Sequence, residues 1–318
     1  MPVDYLGMAH RKLVLVPGRV PRGKEAGALR REWLKALGDG LQEAGIERSL
    51  DEIDVRFAHY GHILDAQTEV NDPAAEVVGG AHATQPERVF VGAVLEEARK
   101  EAAITKAELA AIGGVHVMQR GPLHWEWSQA VVKAIDRHVP GGNGAAIALA
   151  AHDVYQYLNN AAFARQIDEA VRNAMPVNEE AIVVAHSLGT VVAYQLLKME
   201  GAERGWKVPL FVTLGSPLAI TAIRNSLGAR EFPWCVREWF NAVDERDTVA
   251  VYPLDKRNFN VEPAAIANKA DVDNSTENHH GASGYLADRE VARRINGGLA
   301  PTDSALPRAE HRRQSSGG

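Results

Sequence analysis

Short, nearly continuous apolar runs recur along the chain and alternate with longer segments that are apolar on one face only. The first run, Lys12-Leu-Val-Leu-Val-Pro-Gly18, ends in Pro-Gly and reads as a strand covered on both faces of a parallel sheet. After a polar loop, Leu29, Trp33, Leu37 and Leu41 fall at four-residue steps with charged residues between them, which describes one apolar face of a helix. Ile53-Asp-Val-Arg-Phe-Ala-His59 alternates and predicts the next strand, so the chain opens as β–α–β. Glu180-Ala-Ile-Val-Val-Ala185 repeats the buried-strand pattern, and Leu188 to Glu200 sets Val191, Val192, Leu196 and Met199 along a helix. Leu210 to Leu214 and Val236 to Val243 predict two further strands, the first followed by a helix-length segment from Leu218 to Leu227. A last helix is predicted from Gly284 through Leu286, Val291 and Ile295. The alternation predicts an α/β fold, a largely parallel central sheet with helices on both faces.

One long stretch breaks this rhythm. Residues 61–144 are punctuated by Gly and Pro and hold helical candidates at Glu87 to Glu101, Lys106 to Ile112 and Trp125 to His138. They read as a helical insertion within a single domain of residues 1–297, with Asp153 to Leu158 and Ala161 to Met175 leading back to the sheet. His124, Trp125 and Trp127 are assigned to packing rather than to a pocket. Residues 298–318 are low in apolar content and are expected to be a mobile tail.

Composition adds exclusions. With 46% hydrophobic and 24% charged residues, the 318-residue chain has the makings of a sizeable core, which sets aside a disordered or coiled-coil protein. Lys and Arg total 35 against 41 Asp and Glu, a balance of −6 with the signs mixed, so neither nucleic acid nor an anionic membrane is an expected partner. The single cysteine, Cys235, excludes an intrachain disulfide framework, and its setting Phe232-Pro-Trp-Cys-Val matches a buried small hydrophobe better than a nucleophile. His59 and His62 stand three apart without a His-Glu-x-x-His pattern, so no metal site is expected there. The first residues lack a basic start followed by an apolar stretch, and no apolar run approaches the roughly 20 residues that span a bilayer. A cytoplasmic protein without a transmembrane segment is the expectation.

The candidate chemistry lies between a predicted strand and a predicted helix, at Ala185-His186-Ser187-Leu188-Gly189. This is a G-x-S-x-G elbow with Ala at the first small position. A turn this tight holds the serine in a strained backbone and leaves room only for small residues two positions to either side. The alternative is a serine that merely caps the helix. His186, beside Ser187, is expected to point away from it and to act as a packed neighbour.

At this elbow, followed by Thr190, the chain resembles the α/β-hydrolase superfamily, most closely bacterial serine esterases and lipase-like hydrolases. The resemblance spans most of Lys12 to Ile295. It implies an acid after a later strand and a histidine before the last helix, in the order Ser, Asp or Glu, His. Asp247, in Asp244-Glu-Arg-Asp247-Thr-Val-Ala, matches the acid position, with Asp244 as the alternative. In Asn278-His279-His280-Gly-Ala-Ser-Gly-Tyr285-Leu, His280 fits the histidine spacing better than His279, the alternative being a polar loop with two solvated histidines. The resemblance further implies oxyanion donors from the backbone N–H groups of Leu188 and Arg19, no cofactor and no metal, and a small acyl ester as substrate. Many family lids enter after the strand that here ends near Leu214, yet that connection is short in this chain.

Two other readings compete. Gly18-Arg-Val-Pro-Arg-Gly23-Lys24-Glu25 fits the phosphate-loop template through Lys24, but Glu25 stands where Ser or Thr would hold Mg²⁺, and Pro21 removes a backbone donor. The other is an inactive α/β-hydrolase scaffold that binds a ligand or a protein partner.

Overall fold

The computed structural model describes residues 11–20, 23–66, 83–121, 124–139 and 143–300. Its centre is a six-stranded sheet, all of it parallel: β1 Lys12–Val16, β2 Val55–Phe57, β3 Ala181–His186, β4 Val208–Leu214, β5 Val236–Ala242 and β6 Ala267–Lys269, in the order β2-β1-β3-β4-β5-β6. The predicted parallel α/β architecture is therefore present. β1 and β3 pair in register from Lys12↔Ala181 to Val16↔Ala185, which brings the ends of these two strands together.

Strand side chains alternate between the faces, and both faces are buried. Val14, Val16, Val183, Ala185, Phe211 and Trp239 belong to one apolar cluster. Leu13, Leu15, Ile182, Val184, Leu210, Val212 and Phe240 belong to the other. The second face is covered by α1 (Ala26–Glu43), which buries Leu29, Trp33, Leu37 and Leu41 as its four-residue spacing predicted. Against α1 pack α11 (Ala282–Ala287) and α12 (Arg289–Leu299). The single last helix read from the sequence is thus two: the Asp288 carboxylate accepts from the N–H groups of Glu290 and Val291, a cap that starts a new helix. That helix passes the expected boundary at 297, and Arg11 Nη1 donates to the carbonyls of Gly298 and Ala300 at 2.7 Å. The remainder of the expected tail, 301–318, lies outside the described residues.

The other face carries the long β2–β3 connection. It contains α2 (Gly61–Ala66), α3 (Gln85–Glu101), α4 (Lys106–Gly113), α5 (Val115–Arg120), α6 (Trp125–His138), α7 (Gly144–Asn159) and α8 (Ala161–Ala174). Phe90, Val94, Leu95, Trp127, Val131, Ile135, Ile147 and Val154 from these helices share one cluster with the sheet face. The expected insertion therefore extends the domain core over this face. α9 (Leu188–Met199) packs here too, as does α10 (Thr221–Ser226). Trp127 is buried and Trp125 is largely exposed, so only the first contributes fully to packing. No described helix is long and apolar enough to cross a membrane.

Candidate functional site

Ser187 sits at the turn between β3 and α9 with φ 53° and ψ −126°, a left-handed backbone that costs a non-glycine residue energy. Three bonds hold it there. Its N–H donates to Leu214 O at 3.1 Å, and its own carbonyl accepts from Thr190 N–H at 2.9 Å and Thr190 Oγ1 at 2.7 Å. Two glycines make room. A Cβ on Gly189 would stand 2.3 Å from Val16 O, and one on Gly18 would stand 2.7 Å from Ser187 Cβ and 3.2 Å from its Oγ. Ser187 occupies the position that caps α9, yet its side chain makes no capping bond. Its hydroxyl reaches His280 instead.

Ser187 Oγ and His280 Nε2 are 3.0 Å apart, and His280 Nδ1 lies 2.7 Å from Asp247 Oδ2. The three sequence-predicted residues thus form one hydrogen-bonded chain, with Nδ1–H donating to the carboxylate and Nε2 free to accept from the serine. Asp247 is buried, and its Oδ1 accepts from the N–H groups of Val249 and Ala250 at 2.8 and 3.1 Å. Burial opposes its charge. The neighbouring His280, the Tyr285 hydroxyl and the backbone donor outweigh that and hold the carboxyl below its usual range.

Asp244 is placed differently. Its carboxylate binds Arg246 through Nε and Nη2 at 3.0 and 2.7 Å, and accepts from Asn274 N–H at 2.7 Å. It ties the acid loop to the histidine loop rather than touching the imidazole. Buried Asn274 carries the histidine loop onward: its Nδ2 donates to Gly281 O at 2.9 Å, and its Oδ1 accepts from Thr276 Oγ1 at 2.6 Å. His279 turns away, with φ 52° and Nδ1 donating to Asn274 O at 2.9 Å. His186 also turns away from the serine, and its Nε2–H donates to His280 O at 2.7 Å. Burial, with the neighbouring His280, pushes the pKa of His186 down to about 3, so it stays neutral.

The expected oxyanion donors border Ser187. Leu188 opens α9, where an N–H has no carbonyl one turn back to bond. Arg19 follows Gly18, whose Cβ position would lie 2.7 Å from Ser187 Cβ. Sequence reasoning missed two supports, Asn274 and the Tyr285 hydroxyl on Asp247 Oδ2. No sequence signal marked them, since what distinguishes them is burial, which a sequence does not display.

Comparison with protein-family models, curated proteins and solved structures finds no match.

The competing motifs place less chemistry together. His59 and His62 have ring centroids 5.4 Å apart, and among the described residues no group of three or more His, Cys, Asp or Glu is arranged to hold a metal ion. Lys24 pairs with Glu32, while residues 21 and 22 of the phosphate-loop template lie outside the described residues. Cys235 is partly buried against Leu197, and desolvation pushes its thiol up to about 11, away from thiolate chemistry.

Proposed function

We propose that this chain is a serine hydrolase of the α/β-hydrolase type that cleaves a carboxylic ester, or a related acyl bond, through an acyl-Ser187 intermediate. The observation that carries the reading is the Ser187–His280–Asp247 hydrogen-bonded chain at a strained strand-to-helix turn. The placement of these residues supports it further. The serine follows β3, the acid follows β5 and the histidine follows β6, the chain order Ser, Asp, His.

The roles follow from the bonds. Neutral His280 takes the Ser187 proton on Nε2 as Oγ attacks the carbonyl carbon. The oxyanion of the tetrahedral adduct is met by the Leu188 and Arg19 N–H groups. As the adduct collapses, the protonated imidazole gives its proton to the departing alcohol. Water then attacks the acyl-serine with His280 again as base, releasing the acid and restoring Ser187. Asp247 fixes the Nδ1–H tautomer and stabilises the imidazolium in both halves.

The test is covalent labelling with a fluorophosphonate, followed by intact mass. One adduct on the wild type and none on Ser187→Ala is the expected result. A folded wild type that takes no label would favour the non-catalytic scaffold and overturn the proposal.

A further inference from the structure

Asp247 accepts more donors than a bare acid–histidine pair requires. Oδ2 receives His280 Nδ1–H at 2.7 Å and also the Tyr285 hydroxyl at 2.6 Å, while Oδ1 takes the two backbone N–H groups. The phenol lies wholly inside the protein on α11. Its oxygen also accepts from Asp244 N–H at 3.1 Å, so its own proton has Asp247 as the available acceptor. All three side chains converge on Gly215: a Cβ there would stand 3.0 Å from Tyr285 Cε2 and 3.1 Å from both Asp247 Oδ2 and His280 Nδ1. Gly215 has φ 55°, so backbone and space both call for glycine.

We propose that Tyr285 is a positioning residue that weakens the hold of Asp247 on the protonated His280 ring by sharing Oδ2 with it. This rests on the hydrolase reading above. A carboxylate attracts an imidazolium less strongly when a second donor binds the same oxygen, because that donor already stabilises part of the negative charge. Burial and the adjacent Asp247 push the Tyr285 hydroxyl well above its ordinary range, so it remains a donor through neutral pH.

The surrounding groups leave this interaction in control. His186 faces His280 from β3 with ring centroids 4.8 Å apart, but burial keeps it neutral near neutral pH. Asp244, in the loop after β5, has its charge engaged by Arg246 and by Asn274 N–H. His279, on the same loop as His280, is turned to Asn274 O. Asp247 and Tyr285 therefore set the field at Nδ1.

The test is the pH dependence of the fluorophosphonate inactivation rate, whose acid limb reports deprotonation of His280. Tyr285→Phe removes the competing donor and is expected to move that limb to higher pH by about half a unit to one unit. Site-specific replacement of Tyr285 by 3-fluorotyrosine keeps the shape but makes the phenol a stronger donor, and is expected to move the limb to lower pH. Shifts of opposite sign support the inference, because a merely structural role predicts no such inversion. An unmoved limb, or shifts of the same sign, would overturn it. If Tyr285→Phe does not fold, the fluorotyrosine protein decides alone by its direction. A folded wild type that is labelled at no pH overturns the hydrolase reading, and this inference with it.

Discussion

Arg19 and Asp153 form a bidentate ion pair, Nε to Oδ2 at 2.7 Å and Nη2 to Oδ1 at 2.5 Å, across 134 positions of sequence. It joins the loop after β1 to α7, so the helical β2–β3 connection grips the segment that presses Gly18 against Ser187. Tyr60 adds a second grip, its hydroxyl donating to Pro17 O. The helix that leads from the expected insertion back to the sheet, and Tyr60 just ahead of that insertion, thus brace a candidate oxyanion loop.

The pair is nearly out of water, with side-chain exposures of 17% for Arg19 and 2% for Asp153. Removing Arg19 takes the paired cation from buried Asp153, and removing Asp153 leaves Arg19 with only Asp65 at 3.9 Å among the described residues. Asp153→Asn is expected to cost about 3 kcal/mol or more, whereas Arg19→Met combined with Asp153→Leu should recover much of that loss. Urea unfolding of the single and double variants measures the coupling. Strictly additive losses would mean that the two side chains act independently.

Asp247 and Asp244 separate by their partners, His280 for the first and Arg246 with Asn274 for the second. Asp247→Asn should slow fluorophosphonate labelling by about 10³-fold or more while leaving the fold in place, since it upsets the His280 tautomer. Asp244→Asn weakens the Arg246 bond and the link to Asn274, and is expected to lower stability by about 1–2 kcal/mol with labelling retained. Inactivation rates and unfolding midpoints on both variants check this, and the reverse pattern would make Asp244 the acid.

The contrast between these two residues marks where the sequence stops being readable. The apolar runs of β1, β3 and β4 are legible because strands buried on both faces must be largely apolar, whereas β5 carries exposed Arg237 and Glu238 ahead of its buried Trp239 and Phe240. Ser187 is legible because its tight turn requires small residues two positions to either side. β6 is not, since Ala267-Asn-Lys269 is short and polar at a sheet edge and is held by Asn241 Nδ2 donating to Asn268 Oδ1 at 2.9 Å. Choosing Asp247 over Asp244 on structural grounds needs the distance to His280, and pairing Tyr285 with Asp247 joins positions 38 apart. An aromatic residue in a helix reads alike whether it packs or donates.

Gly189 of the elbow and Gly297 of α12 give a stability contrast. Gly189→Ala drives a Cβ to 2.3 Å from Val16 O and 2.5 Å from Pro17 O, backbone atoms of the strand end that have no room to yield. Gly297, in α12, has nothing within 4 Å of its Cβ position, and alanine there should stabilise by about 0.5–1 kcal/mol. Thermal melts of the two variants should therefore move in opposite directions. A Gly189→Ala protein with unchanged melting and labelling would contradict the packing of the elbow.

His186 supplies the pH dependence of folding. Its pKa in the folded chain is about 3, against an ordinary value of 6.5, because burial with the neighbouring His280 disfavours its charge. Between those values the unfolded chain binds the extra proton, so stability is full above about pH 6.5 and falls as the pH drops toward 3. One such group sets a limiting slope of about 1.4 kcal/mol per pH unit. His186→Gln keeps a donor toward His280 O but removes the titration, so its unfolding free energy should depend less steeply on pH over this window. Urea midpoints at pH 7, 5.5 and 4.5 compare the two proteins. Parallel curves would show that His186 does not carry the acid sensitivity.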